Sequence, residues 1–193
     1  MACTDVLEAL RALLGCVQAD GAQVSDAILE EKNEAKLKRL TISELAPGML
    51  LLATDEGRKR DKAPACMSPL FKDDGAYDQN RACDAVLLRK AEDGLHVCYI
   101  ELKSDSPSGY EGQFASTHCF MRYVAALSEK LCNCPLRIVR ERYVVFHTDS
   151  SGKRPRGKKQ KMRFKPASAN TPTSPDMFCV VDGDTVRWTE FFS

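Results

Sequence analysis

Two runs of β-prone residues around a short loop constrain this chain more than any other feature. Cys-Asp-Ala-Val-Leu-Leu-Arg-Lys (83–90) and Leu-His-Val-Cys-Tyr-Ile-Glu-Leu-Lys (95–103) flank Ala91-Glu92-Asp93-Gly94. Asp-Gly between two such runs signals a hairpin, because glycine readily takes the positive φ that a tight turn needs. A symmetric loop pairs Lys90 with Leu95, and that register sets Asp84 opposite Glu101. Opposed side chains lie ~4.5–5.5 Å apart at Cβ. Lys103 is two positions further on and so shares the face of Glu101. A slip of a single residue would undo the alignment.

Charges on an apolar strand are costly unless they are paired, hydrogen-bonded or bound to a metal. Two opposed carboxylates repel each other; a raised pKa or a hard divalent cation offsets the repulsion. With a cation present, the cluster has the parts needed to hydrolyse a phosphodiester. The cation polarises the phosphoryl oxygen and acidifies a water, and the lysine orients or deprotonates that water or stabilises phosphate charge. The competing structural reading is a salt-bridge cluster at a wet sheet end.

Around the hairpin, residues 4–18 are expected to form a helix capped by Thr4 or Asp5, and 25–38 a second helix or the approach to a strand near 37–42. Residues 48–54 read as a strand and 55–80 as a long loop rich in charge, Pro and Gly. After a loop at 104–112, residues 113–132 read as a helix and 140–148 as a strand. The segment 150–175 is expected to be a mobile loop, and 177–192 a second hairpin turning at Asp182-Gly183-Asp184, with Trp188, Phe191 and Phe192 packing its last strand. The order strand, strand, helix, strand, with helices before it, predicts an α/β or α+β fold around a mixed sheet. In the helix 113–132, an apolar stripe of Phe120, Val124, Leu127 and Leu131 projects back through Thr117 to Gln113. Gln113 is thereby placed in the first turn on the sheet-facing side, where a helix N-terminus also favours an anionic phosphate.

Asp84, then Glu101-Leu102-Lys103 at the end of the next strand, then a helix opening with Gln113, resembles the PD-(D/E)xK nuclease superfamily of restriction-endonuclease-like fold. The resemblance spans residues 83 to about 148. It implies a central mixed sheet flanked by helices and cleavage of DNA or RNA with Mg²⁺ or Mn²⁺. It also implies that Asp84, Glu101 and the Leu102 carbonyl ligate the metal. Lys103 would act on the water or the phosphate, and Gln113 would match the helix glutamine of some branches. Cys83 stands where many members have proline. The acid that many members place on a first core helix stays open among Glu30, Glu31, Glu34 and Glu44.

Lys153, Arg154, Arg156, Lys158, Lys159, Lys161, Arg163 and Lys165 follow one another with no acid between them, and the rest of the chain carries 20 basic and 27 acidic residues. Such a run is either a solvated loop or a clamp on phosphates that binds without regard to sequence and weakens with salt. Phe164 within it could stack on a base. His96, His118 and His147 read as core or surface residues. With 193 residues, 44% of them hydrophobic and 28% charged, the chain suits a single domain (1–193), with little room for a separate recognition module. Specificity would be low, or come from a homodimer or a larger complex.

Nine cysteines and an N-terminus without the basic start and long apolar run of a signal peptide suggest a reducing cytoplasm with mostly free thiols. The pair Cys132/Cys134 lacks a second pair at zinc spacing. No stretch is long enough for a membrane span. The function these features favour is a Mg²⁺-dependent nuclease, either by itself or as a subunit of a defence or repair system. The alternative is a non-enzymatic module of nuclease-like fold that binds nucleic acid or protein.

Overall fold

The computed structural model describes residues 5–30, 36–57, 77–104, 107–148 and 163–192. In chain order the elements are α1 (Val6–Leu13), β1 (Val17–Asp20), β2 (Ala27–Glu30), β3 (Arg39–Ser43), β4 (Met49–Leu52), α2 (Thr54–Gly57), β5 (Ala85–Ala91), β6 (Gly94–Lys103), α3 (Glu111–Cys132), β7 (Ile138–His147), β8 (Arg163–Lys165), β9 (Asp176–Cys179), β10 (Thr185–Arg187) and α4 (Trp188–Phe192). Seven strands form a mixed sheet in the order β1-β4-β5-β6-β7-β9-β8, and three form a smaller sheet, β10-β3-β2. The expected α+β fold around a mixed sheet is what the chain adopts.

The hairpin β5–β6 has the register read from the sequence: Lys90 pairs with Leu95 and Ala85 with Ile100. Gly94 takes φ 145° at its turn. Strand β6 then pairs in parallel with β7 through the crossover helix α3, and β7 pairs in parallel with β9. Strands β4, β5 and β6 are buried on both faces, which suits their near-continuous apolar runs.

Two cores follow from the alternation along these strands. On one face Leu50, Leu52, Val86, Leu88, Val97, Tyr99, Tyr143 and Val145 meet Leu7 and Leu10 of α1 and Phe114, Met121 and Val124 of α3. On the other, Leu51, Leu87, Cys98, Ile100, Val144, Phe146 and Phe178 meet Leu29, Leu40, Ile42 and Val186 of the small sheet and Phe191 and Phe192 of α4. Helices therefore cover one face of the large sheet, and a second sheet with one short helix covers the other. Each fully buried aliphatic or aromatic side chain contributes about 1.5–3 kcal/mol.

Several local expectations are corrected. Helix α1 ends at Leu13 because Leu14 turns extended (φ −108°, ψ 118°), and the apolar residues beyond it begin β1. Its cap is Asp5, which accepts from Leu7 N at 3.0 Å and pairs with Lys90 Nζ at 3.0 Å, tying the helix to the hairpin. Residues 27–30 form a strand, not a helix. The buried stripe of α3 is Phe114, Thr117, Met121, Val124 and Ser128, whereas Leu131 is exposed.

The turn at Asp182-Gly183-Asp184 exists, held by Val181 N donating to Asp184 Oδ2 at 2.8 Å, but it does not make a hairpin. Strand β9 stays in the large sheet, β10 joins the small one parallel to β3, and Trp188, Phe191 and Phe192 belong to a helix. Residues 166–175, expected to be mobile, are held in place. Asn170 bonds both Tyr143 N (2.6 Å) and Tyr143 O (2.8 Å), and Ala167 N donates to Asp176 Oδ1 at 2.8 Å.

Candidate active site

The ladder of β5 and β6 ends one residue short of Asp84, and the Asp84 side chain takes over from it. Its Oδ2 accepts from Leu102 N at 2.6 Å, the amide that directly follows Glu101. Glu101 is 1% exposed on the helix-covered face. Lys103 Nζ lies 2.6 Å from Glu101 Oε1 and donates to Gln113 Oε1 at 2.9 Å. Gln113 Nε2 completes the loop by donating to Ala82 O at 3.3 Å. The structure thus brings Asp84, Glu101, Leu102, Lys103 and Gln113 together at the C-terminal end of β6.

Glu101 sits in an unusual electrostatic position. Burial pushes its carboxyl up from the usual range to about 7, although Lys103, by its charge and its hydrogen bond, and more weakly the Gln113 side chain and the Asp84 backbone pull the other way. Its Oε2 is buried with no hydrogen-bond partner. Native structures rarely leave a buried polar oxygen in that condition, and an ion is one of the ordinary explanations. Among the described residues no three His, Cys, Asp or Glu side chains gather into a metal-binding group. The cluster offers two carboxylates and a backbone carbonyl, all hard oxygen donors. Mg²⁺ commonly takes one or two carboxylates and keeps several waters, so the donor set fits that cation.

A supporting shell, which the sequence reading did not single out, holds Asp84 in position. Thr117 Oγ1, fully buried on α3, accepts from Cys83 N at 2.9 Å and donates to Gln113 O at 2.8 Å. Thr54 Oγ1 on α2 donates to Cys83 O at 2.5 Å. The chain leading into Asp84 is therefore fastened on both sides. A proline at 83 has no N–H to give Thr117, so cysteine in that place fits this particular bracing. The Cys83 thiol itself is buried and pushed up to about 12, mainly by desolvation, and is no nucleophile. The only forward signal of this shell was the helical spacing that linked Thr117 to Gln113.

The other candidates lie elsewhere. Glu30 stands on β2 of the small sheet, at the far face of the large one, and Glu44 directly follows β3 and pairs with Arg187 at 3.1 Å. Glu31 and Glu34 lie outside the described residues, as do Lys153, Arg154, Arg156, Lys158, Lys159 and Lys161. Arg163 and Lys165 are on β8, the edge strand, and Lys165 is exposed. Phe164, read as a residue that could stack on a base, instead stacks on Phe178 with ring centroids 4.6 Å apart, on the face away from Glu101. Cys83, Cys98, Cys119 and Cys132 are free thiols, Cys16 and Cys179 are outside disulfides, and Cys134 is disulfide-bonded.

Compared with known proteins, the chain matches no family model, no curated protein and no solved structure. Among the described residues no helix is long and apolar enough to cross a membrane.

Proposed function

We propose that the chain is a metal-dependent nuclease of the PD-(D/E)xK type, hydrolysing phosphodiester bonds in DNA or RNA with Mg²⁺ or Mn²⁺. The observation that carries this reading is the buried, partnerless Oε2 of Glu101 beside Lys103. A buried carboxylate oxygen without a strict hydrogen-bond partner is available to a cation, and this supports a metal site over a salt-bridge cluster.

Asp84 and Glu101, with the Leu102 carbonyl, would hold the ion. Bound there, a divalent cation supplies a Lewis acid for the phosphate and lowers the pKa of a coordinated water. Lys103 brings a positive charge to the place where phosphate charge develops, and its ammonium can orient the attacking water. Gln113 fixes Lys103 by accepting a hydrogen bond from its Nζ at 2.9 Å, and is itself fixed by donating to Ala82 O. Among the described residues, six cysteines outside disulfides against one disulfide-bonded cysteine favour a reducing compartment such as the cytoplasm.

The test is incubation of the full chain with plasmid, single-stranded DNA and RNA in Mg²⁺, Mn²⁺ or EDTA. Cleavage in either metal, none in EDTA, and a loss of about a hundredfold or more in Lys103→Ala support the proposal. Folded wild-type protein inactive on every substrate would leave the non-enzymatic binding module in its place.

A further inference from the structure

The pairings of β6, β7, β9 and β8 carry two rows of residues across the sheet from the candidate site; in the first Glu101 and Val145 are buried and Lys165 is exposed, and in the second His147 and Cys179 are half-buried. Glu101 stands beside Val145, Val145 beside Met177 and Met177 beside Lys165. One step further along β6, Lys103 stands beside His147, His147 beside Cys179 and Cys179 beside Arg163. Phe164 stacks on Phe178 in the opposite core, so the alternation of β8 assigns Lys165 to the face of Glu101. Beyond Glu101 neither row contains an acid. Asp176 is near in sequence but turned away: Arg142 Nε holds it at 2.7 Å and Ala167 N at 2.8 Å.

His147 is well placed in this strip. Its Nδ1 lies 3.2 Å from Thr148 O, and since a carbonyl only accepts, Nδ1 is the donor. In the neutral ring Nε2 is then an acceptor; it donates to a phosphate oxygen only in the imidazolium form, in which both ring nitrogens carry a proton. Thr148 N in turn donates to Lys103 O at 3.3 Å, so the ends of β6 and β7 are locked side by side. The distance from β6 to β8 is three strand spacings, about 14 Å. That equals roughly four phosphates at the ~3.4 Å spacing of one stacked strand.

We propose that a nucleic-acid strand crosses this face at right angles to the β-strands, from the Asp84–Glu101–Lys103 cluster over His147 to Lys165, and that His147 and Lys165 contact its phosphates. The proposal rests on the nuclease reading for the position of the scissile bond. The strip itself follows from register and charge. It accounts for a basic edge strand on the same face as an acidic cluster, and it gives His147 a role that its sequence context did not suggest.

The experiment measures binding apart from cleavage. A fluorescent single-stranded oligonucleotide of about a dozen nucleotides, as DNA and as RNA, is titrated with the full Glu101→Gln chain in Mg²⁺ between about 50 and 200 mM salt. Lys165→Ala is expected to weaken binding about fivefold at the lowest salt and to reduce the slope of log K against log salt by about 1. His147→Ala and His147→Asn are expected to weaken it by a similar factor, Asn keeping a donor near Thr148 O. Lys38→Ala, an exposed lysine near the small sheet, is the control and leaves binding unchanged. Thermal melts confirm that each variant is folded.

Affinity and slope unchanged in both Lys165→Ala and His147→Ala overturn the strip, even if the wild type cleaves. Dependence on both residues in a chain whose wild type never cleaves keeps the strip and removes the nuclease reading. No binding to either oligonucleotide at the lowest salt overturns the strip outright.

Discussion

At the scale of single residues, the proposed chemistry rests on Glu101, and its titration is a handle on the metal-free protein. Its folded pKa is about 7 against an ordinary 4.5, chiefly through burial. Below the unfolded pKa both states hold the proton and there is no effect. Between the two values the folded state holds a proton that the unfolded state has released, so stability falls as pH rises and levels off above the folded pKa. The size is on the order of 3 kcal/mol. Urea denaturation in EDTA at pH 5.5 and pH 8 should show about 2 kcal/mol of this loss in the wild type and little of it in Glu101→Gln. An equal loss in both would assign the pH dependence to another group.

The residues of this cluster were legible because strand alternation and a four-residue loop fix which side chains meet. The orphaned oxygen and the depth of burial were not, since both depend on α3 closing over the strand ends. Thr54 and Thr117 were equally invisible as a brace, because their partners are backbone atoms of Cys83 and Gln113 rather than side chains with a recognisable pattern.

At the scale of elements, the hairpin and α3 set the site. Gly94 has a positive φ of 145°, and a Cβ there would lie 2.6 Å from Arg137 O and 2.8 Å from Val139 Cγ1. Gly94→Ala therefore forces apart the β6 turn and the start of β7, with an expected cost of about 2 kcal/mol or more in denaturant unfolding. A neutral result would mean that the turn relaxes without strain. Thr117→Val keeps the shape but leaves Cys83 N without its acceptor, at a cost of about 1–3 kcal/mol. If Thr117 braces Asp84, this variant should also lose cleavage at temperatures where it is fully folded, while Ser at 117 restores it.

Strands β4 to β7 and helix α3 could be read from the chain because their signals are local: period-two runs, a turn dipeptide and a long helical segment. The small sheet could not. Strand β10 pairs in parallel with β3, across more than half of the chain, and no local pattern encodes that partnership. Strand β2 is four residues long and borders charged sequence, so a helix was as good a reading. Helix α4 overrode the strand expected from its aromatic residues because Phe191 and Phe192 both bury into the second core from one short turn of helix.

At the scale of the whole molecule, the two cores divide the labour. The small sheet and α4 close one face of the large sheet, and the other carries α1, α3 and the polar cluster. A cation that binds only the folded chain stabilises it by mass action, about 1.4 kcal/mol at a tenfold excess over Kd, or a few degrees in Tm. Binding also displaces the proton that Glu101 holds when metal-free, so the gain from Mg²⁺ should be larger at pH 8 than at pH 6. Melting curves with Mg²⁺ and with EDTA at the two pH values measure it. A gain that is the same at both would place the ion away from Glu101.

The most direct test of the account is a calorimetric titration of Mn²⁺ into the wild-type chain, Asp84→Asn and Glu101→Gln, each checked for folding. The account predicts saturable binding in the wild type that is lost or severely weakened in both variants. Binding that survives both substitutions unchanged, or a folded wild type that takes up no Mn²⁺, contradicts it.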